Sequence, residues 1–346
     1  MSKMLDEIRQ QPAALVKTLD EALPRLAQFR AAIAARQPRL VVLAARGTSD
    51  NAAQFGRYLI EISTGIPVSL AAPSVHTLYG AKVDYRDALV VGVSQSGEST
   101  DTNIVLERAR AAGAVTVAIT NEENSTMAGL ADHVLLVRAG RELSVAATKT
   151  YTGQLLMMYL VAHALGASFD VDTLRTIPAL VEAALSTQEW VFDMAGRYRF
   201  MNHAVVVGRG LNYANAFEFA LKMMETSYVV AERFSSADFL HGPIAMVGRD
   251  FPAFVFAPSG PTSGPIREML EKLAGLGAET VAIADLSSRE TAKLASRAMV
   301  IPAKITEIYT PIPYIVPAQL FAAALAVEKN LNPDQPRTLT KVTQTL

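Results

Sequence analysis

The stretch Ser94-Gln95-Ser96-Gly97-Glu98-Ser99-Thr100 gathers four hydroxyls, one amide and a glycine into seven residues. It follows the apolar run ALVVGV (88–93) and precedes a helix-like pattern through Ala112. A strand-to-helix turn of this kind lies at the carboxyl edge of an open parallel sheet, where ligands bind. The helix start offers backbone N–H groups and a positive dipole end to an anion. Small hydroxyl side chains add neutral donors, so the turn suits a phosphate monoester without a lysine. No Gly-Lys-Ser/Thr follows and no G-x-G-x-x-G is present, which excludes the nucleotide loops those patterns mark. A plain serine-rich helix cap fits the same residues. A second turn, Arg46-Gly47-Thr48-Ser49, has the same character and could face the same ligand or simply cap its own helix.

Acid–base chemistry has candidates elsewhere. In ANAFEFALKMMETSY, Glu218, Lys222 and Glu225 fall at i, i+4 and i+7 and share one helix face. A solvated salt-bridge stripe would show the same spacing. The neighbours Phe217, Phe219, Leu221, Met223 and Met224 are apolar, however, which favours the border of a cleft and suits Glu225 as a proton-transfer base. His241, in the turn-like DFLHGP, offers a side chain whose ordinary titration lies near neutrality, although a lone histidine often has a structural role. Lys341, in the polar tail DQPRTLTKVTQTL, is an amine that could attack a carbonyl if the tail closed on a site; a frayed terminus is the alternative.

Short β-branched runs alternate with helical patterns: RLVVLAA (39–45), ALVVGV (88–93), VTVAIT (115–120) and HVLLV (133–137), with helices from Ser49 to about Ser63, through Ala112, and from Lys149 to about Leu165. Near-continuous apolar strands between helices predict parallel strands covered on both faces. The pattern then restarts. Arg46-Gly47 recurs as Arg209-Gly210 and Ser96-Gly97 as Ser259-Gly260, both at an offset of 163. Gly113-Ala114 and residues 116–119 recur at an offset of 164. The expected class is α/β: two tandem copies of a three-layer α/β/α sandwich with a parallel sheet. The expected divisions are a helical arm over 1–24, domains over 25–190 and 195–330, and a tail over 331–346. The second copy has lost most hydroxyls at its equivalent turn, Ala257-Pro258-Ser259-Gly260-Pro261. One phosphate site, in the first copy, is therefore expected.

The chain has 346 residues, 32 basic and 33 acidic, and no cysteine. Balanced charge gives no global attraction to nucleic acid or anionic membrane. Without cysteine these residues can form no disulfide, thiolate metal site or thiol nucleophile. The polar start MSKMLDEIRQQP lacks a signal-peptide core. The stretch LLMMYLVAHALGA (155–167), taken as the longest apolar run, is too short to span a bilayer and reads as a core helix. A soluble cytoplasmic protein is expected. The mean hydropathy of +0.22 is high for one and hints at burial in a subunit interface.

The ordered set of motifs resembles the sugar isomerase (SIS) family, and in particular the isomerase half of glutamine–fructose-6-phosphate aminotransferase. It runs from IRQQP through GTS (47–49), SQSGE (94–98), VAATK (145–149), E-x-x-x-K-x-x-E (218–225), HGP (241–243) and DQPR-x-L-x-K (334–341). The resemblance implies that Ser94, Gln95, Ser96 and Ser99 hold a sugar phosphate and that Ser49 and Val145 contact the sugar. It implies that Glu225 shuttles a proton between C1 and C2, with Glu218 and Lys222 in support. It implies that His241 opens the sugar ring in the neighbouring subunit of a homodimer, and that Lys341 forms a Schiff base with a ketose. No metal or redox cofactor is implied. Ala147 replaces a serine of the family's sugar pocket, Ala45 a cysteine, and Leu240 a lysine. The family's glutaminase cysteine has no counterpart here. The expected activity is an amino-sugar-phosphate deaminase/isomerase, with glucosamine 6-phosphate going to fructose 6-phosphate plus ammonia. A galactosamine-6-phosphate isomerase, a fructosamine-phosphate deglycase and a non-catalytic sugar-phosphate sensor are the alternatives.

Overall fold

The computed structural model describes residues 2–341. The elements of the first half are α1 (Lys3–Arg9), α2 (Gln11–Arg36), β1 (Leu40–Ala44), α3 (Thr48–Thr64), β2 (Val68–Leu70), α4 (Ser74–Thr77), β3 (Ala88–Ser94), α5 (Thr100–Ala111), β4 (Val115–Thr120), α6 (Thr126–Leu130), β5 (His133–Leu136) and α7 (Lys149–Ala164). The second half holds α8 (Ile177–Leu185), α9 (Gln188–Arg197), β6 (His203–Gly208), α10 (Tyr213–Ser227), β7 (Val230–Ser235), α11 (Ser236–Leu240), β8 (Pro252–Phe256), α12 (Ser263–Gly275), β9 (Glu279–Asp285), α13 (Arg289–Ala292), β10 (Arg297–Ile301) and α14 (Pro311–Glu328). The strands expected at 39–45, 88–93, 115–120, 133–137 and 203–210 all form, with ends shifted by no more than two residues.

Two compact units result, each discontinuous in sequence. The first lobe comprises Ala13–Glu142, Lys149–Arg175 and residues 340–341; the second comprises residues 2–12, Leu143–Thr148 and Thr176–Leu339. The first lobe is built on a five-stranded sheet in the order β2-β1-β3-β4-β5, the second on β7-β6-β8-β9-β10. Every pairing is parallel. The two orders are the same when each strand is replaced by its repeat partner, so the sequence repeat is a repeat of topology.

The central strands are apolar because helices cover both faces. All residues of β3, β4 and β8 are buried, whereas β5 at a sheet edge is mostly half-exposed. On one side of the first sheet, Val42, Val90, Val105, Leu106, Ala118 and Met127 pack together. Val205, Val255, Ile266, Met269, Leu270 and Ala282 do the same in the second lobe. The α7 segment is a core helix, as its composition predicts: Leu155 to Val161 are all at most 1% exposed. It is not the longest apolar run, however. That is α14, PIPYIVPAQLFAAALAVE, long and apolar enough to cross a membrane by length and composition alone. In place it is buried from Pro311 to Ala326 and packs on α8, α9 and α10. Its three prolines obscure its helical character in the sequence.

Candidate active site

The first lobe places the 94–100 turn between β3 and α5, at the carboxyl edge of the sheet. The Ser94 hydroxyl accepts the Gly97 N–H at 3.1 Å, and the Ser96 hydroxyl accepts the Glu98 N–H at 3.2 Å. A hydroxyl that accepts in this way keeps its own proton for donation. Ser99 occupies the N-cap position of α5 without a side-chain cap bond. It donates instead to Asp101 at 3.0 Å, so the plain helix-cap alternative is not what this turn adopts. Gly97 has φ +67°, and a Cβ there would collide with Ser125, so only glycine lets the backbone turn here. Its carbonyl is held by Met127 N–H and the Asn103 amide. The Gln95 carbonyl accepts Asn121 N–H at 3.1 Å.

The neighbouring 46–49 turn is tied to this one by charge. Arg46 Nε donates to Asp101 at 2.6 Å, and Asp101 is 1% exposed. This neutralises a carboxylate that would otherwise repel an anion at the start of α5. Ser49 is buried and its hydroxyl accepts the Gln154 amide at 2.9 Å. Burial pushes the Asp50 carboxyl above its ordinary range, with Arg46 opposing.

Lys341 also belongs to the first lobe. Its Nζ donates to Glu142 Oε2 at 3.2 Å, and the Glu142 side chain is fully buried. The same carboxylate accepts Thr150 N–H at 3.2 Å and Thr150 Oγ1–H at 2.6 Å at the start of α7. Nothing local marks Glu142 in the sequence, because an acid three residues before VAATK belongs to no periodic pattern.

The second lobe carries the ionic helix. Glu218 and Lys222 on α10 are fully buried, and the Glu225 side chain is 19% exposed. Lys222 Nζ lies 2.6 Å from Glu225 Oε2 and 3.4 Å from Glu218 Oε1. The three form one interior ionic line with a carboxylate at its outer end, and not a solvated stripe. Just beyond, Tyr228 ends α10 in the left-handed conformation; its hydroxyl accepts Arg337 N–H at 2.9 Å and its ring lies under the Arg337 guanidinium at 4.4 Å. The tail is thus anchored well before Lys341. Asp334 in that tail accepts the Ser2 hydroxyl and the N–H groups of Lys3 and Met4, capping α1. His241 follows α11 and is exposed, as are Leu240 and Gly242. Val145 is half-buried in a loop of the second lobe whose flanks are held by Glu7, which accepts Leu143 and Ser144 N–H, and by the Gln319 amide, which donates to the Thr148 carbonyl.

At the turn equivalent to 94–100, the second lobe differs. Glu307, 7% exposed, accepts Thr262 Oγ1–H at 2.6 Å and Thr262 N–H at 3.3 Å, and a Cβ on Gly260 would strike its carboxylate. A carboxylate of the chain itself therefore sits where α12 begins.

Comparison with known proteins agrees with this architecture. The SIS domain profile matches residues 35–164 and 199–329. The glutamine–fructose-6-phosphate aminotransferase (isomerizing) of Methanothermobacter thermautotrophicus is 33% identical over 341 residues, covering 98% of this chain and 56% of the relative. The chain thus spans little more than half the length of that relative. Among solved structures, the C-terminal domain of glucosamine-fructose-6-phosphate aminotransferase from Francisella tularensis superposes with a TM-score of 0.87 at 26% identity, covering 97% of this chain and 98% of that one. A candidate phosphosugar isomerase from Silicibacter pomeroyi gives 0.83 at 32% identity, covering 96% and 100%. The profile matches once in each half of the chain, and the chain belongs to the SIS domain family.

Proposed function

We propose that the chain interconverts an amino-sugar 6-phosphate and a ketose phosphate, with glucosamine 6-phosphate going to fructose 6-phosphate and ammonia. The observation that carries this reading is Glu225, a partly exposed carboxylate fixed at 2.6 Å by a fully buried lysine. A buried ion pair is a poor stabiliser, and a base must be held still to move a proton between adjacent carbons.

In this reading the phosphate lies against Ser94, Gln95, Ser96 and Ser99, with Ser49 and Val145 toward the sugar. His241 opens the pyranose. Glu225 removes the C2 proton and returns it at C1 through an enolamine. The resulting C2 imine exchanges onto the Lys341 amine, releasing ammonia, and water then frees the ketose. The overall change is amino sugar phosphate plus water to ketose phosphate plus ammonia. The exposure of His241 on its own protomer supports a homodimer in which it completes the neighbouring site.

Incubation with glucosamine 6-phosphate should release ammonia and fructose 6-phosphate in equal amounts. Ammonia from neither this nor galactosamine 6-phosphate nor a fructosamine phosphate would sink the deaminase reading. Mixing His241→Ala and Glu225→Gln protomers should restore activity that each lacks alone. Failure of complementation in verified mixed dimers would refute the shared site.

A further inference from the structure

The proposed reaction assigns Lys341 a Schiff base, yet leaves open what removes the ammonium proton first. We propose that Glu142 is the proton acceptor of Lys341 and returns that proton to the hydroxyl that leaves the substrate carbon. The inference rests on the reading of Lys341 as the Schiff-base lysine.

Three observations carry it. The Glu142 side chain is fully buried, and the Lys341 ammonium is hydrogen-bonded to it at 3.2 Å. A buried carboxylate is costly unless paired, and the Lys341 ammonium supplies the opposite charge. Glu142 is also held in a fixed place. Its Oε1 and Oε2 both accept from Thr150, on the rigid first turn of α7. The loop leading to it is clamped by Asn121, whose Oδ1 accepts Ala139 N–H and whose amide donates to the Gly140 carbonyl, each at 2.9 Å. The Asn121 N–H in turn donates to the Gln95 carbonyl of the serine-rich turn. A proton acceptor placed relative to the phosphate donors by two hydrogen-bonded steps is preorganised for a substrate held there. Lys149, one residue before Thr150, donates to the Arg141 carbonyl at 2.7 Å.

The steps balance. The Lys341 ammonium gives one proton to the Glu142 carboxylate. In the ketose-binding direction, the reverse of the hydrolysis that frees the ketose, the neutral amine then attacks the C2 carbonyl of the ketose phosphate, its nitrogen forming the new bond as the carbonyl oxygen takes up the nitrogen's proton. Glu142 returns its proton to the resulting hydroxyl, the C–O bond breaks, and water leaves. The products are an iminium on Lys341, one water and the regenerated carboxylate.

Borohydride trapping of the intact protein with fructose 6-phosphate, followed by mass spectrometry of the Lys341 peptide, tests this. Wild type should form the reduced adduct. Glu142→Gln keeps an acceptor for Thr150 and should trap about 100-fold more slowly, with the half-saturating concentration of fructose 6-phosphate unchanged within about twofold. Glu142→Asp should recover part of the rate. Thr150→Val removes one of the two Thr150 hydrogen bonds to the same carboxylate but not the ion pair, and should slow trapping less than Glu142→Gln does. Equal trapping by wild type and folded Glu142→Gln would overturn the role of Glu142. If Glu142→Gln fails to fold, trapping at the wild-type rate by folded Glu142→Ala would overturn it as well. Absence of an adduct in wild type would instead overturn the reading of Lys341 on which the inference rests.

Discussion

The helices α3 and α10 occupy the same place in two copies of one sheet, and they solve their interiors differently. At the repeat offset of 163, Glu218 corresponds to Phe55, Lys222 to Leu59 and Glu225 to Ile62. The offset holds to the helix ends, where Gly65 and Tyr228 both take the left-handed conformation. Phe55 and Leu59 are fully buried, as Glu218 and Lys222 are. The fold therefore accepts plain hydrocarbon at these two positions, and the buried ion pair in α10 is not something the architecture demands. The turns differ in the opposite sense. The first copy keeps the serines of 94–100, while the second meets the start of α12 with its own Glu307. Each copy retains one half of the proposed chemistry and has surrendered the other.

The largest expected effect comes from Glu225. Replacing it with Gln should lower kcat by about 10²- to 10⁴-fold with little change in melting temperature; an unimpaired variant would remove the functional distinction between α10 and α3. Next is Lys222→Ala, which leaves two carboxylates without their shared cation and should cost about 3–5 kcal/mol in chemical denaturation. The paired change Glu218→Leu with Lys222→Leu imitates α3. It should fold with stability within about 1–2 kcal/mol of wild type or above it, yet be inactive, since apolar replacement of a buried pair is commonly neutral or better. A severe loss of stability in that double variant would mean that α10 needs its charges to fold.

Smaller effects probe the turns. Gly97→Ala forces a side chain into Ser125 at positive φ and should destabilise the first lobe by about 1–3 kcal/mol while raising KM for the sugar phosphate. Glu307→Ala removes the acceptor of two Thr262 donors and should cost about 1–2 kcal/mol. Inorganic phosphate should restore part of that loss, seen as a rise in melting temperature that chloride at equal ionic strength does not give. No response to phosphate would mean that the second turn no longer accepts a tetrahedral anion.

Much of this was legible in the residues because it is local. Strands such as VTVAIT and ALVVGV declare themselves by unbroken burial, and the repeat by ordered matches at a fixed offset. The serine turn and the i, i+4, i+7 spacing on α10 were visible for the same reason. The length of the apolar run in α14 is hidden in the sequence, because prolines at 311, 313 and 317 read as breaks although two of them fall in the helix's first turn. The spacing of Glu218, Lys222 and Glu225 was equally compatible with a solvated face; only packing shows two of the three to be fully buried.

The sequence by itself determined two parallel sheets, their duplication and the loss of hydroxyl donors in one copy, since periodicity and composition act over a few neighbouring residues. Tertiary structure alone decided what occupies the positions those patterns create. Glu307 reaches Thr262 across 45 residues, and Lys341 reaches Glu142 across 199. No local pattern encodes such pairs; they exist because closing the sheets brings distant carboxylates into apolar surroundings where each must find a donor.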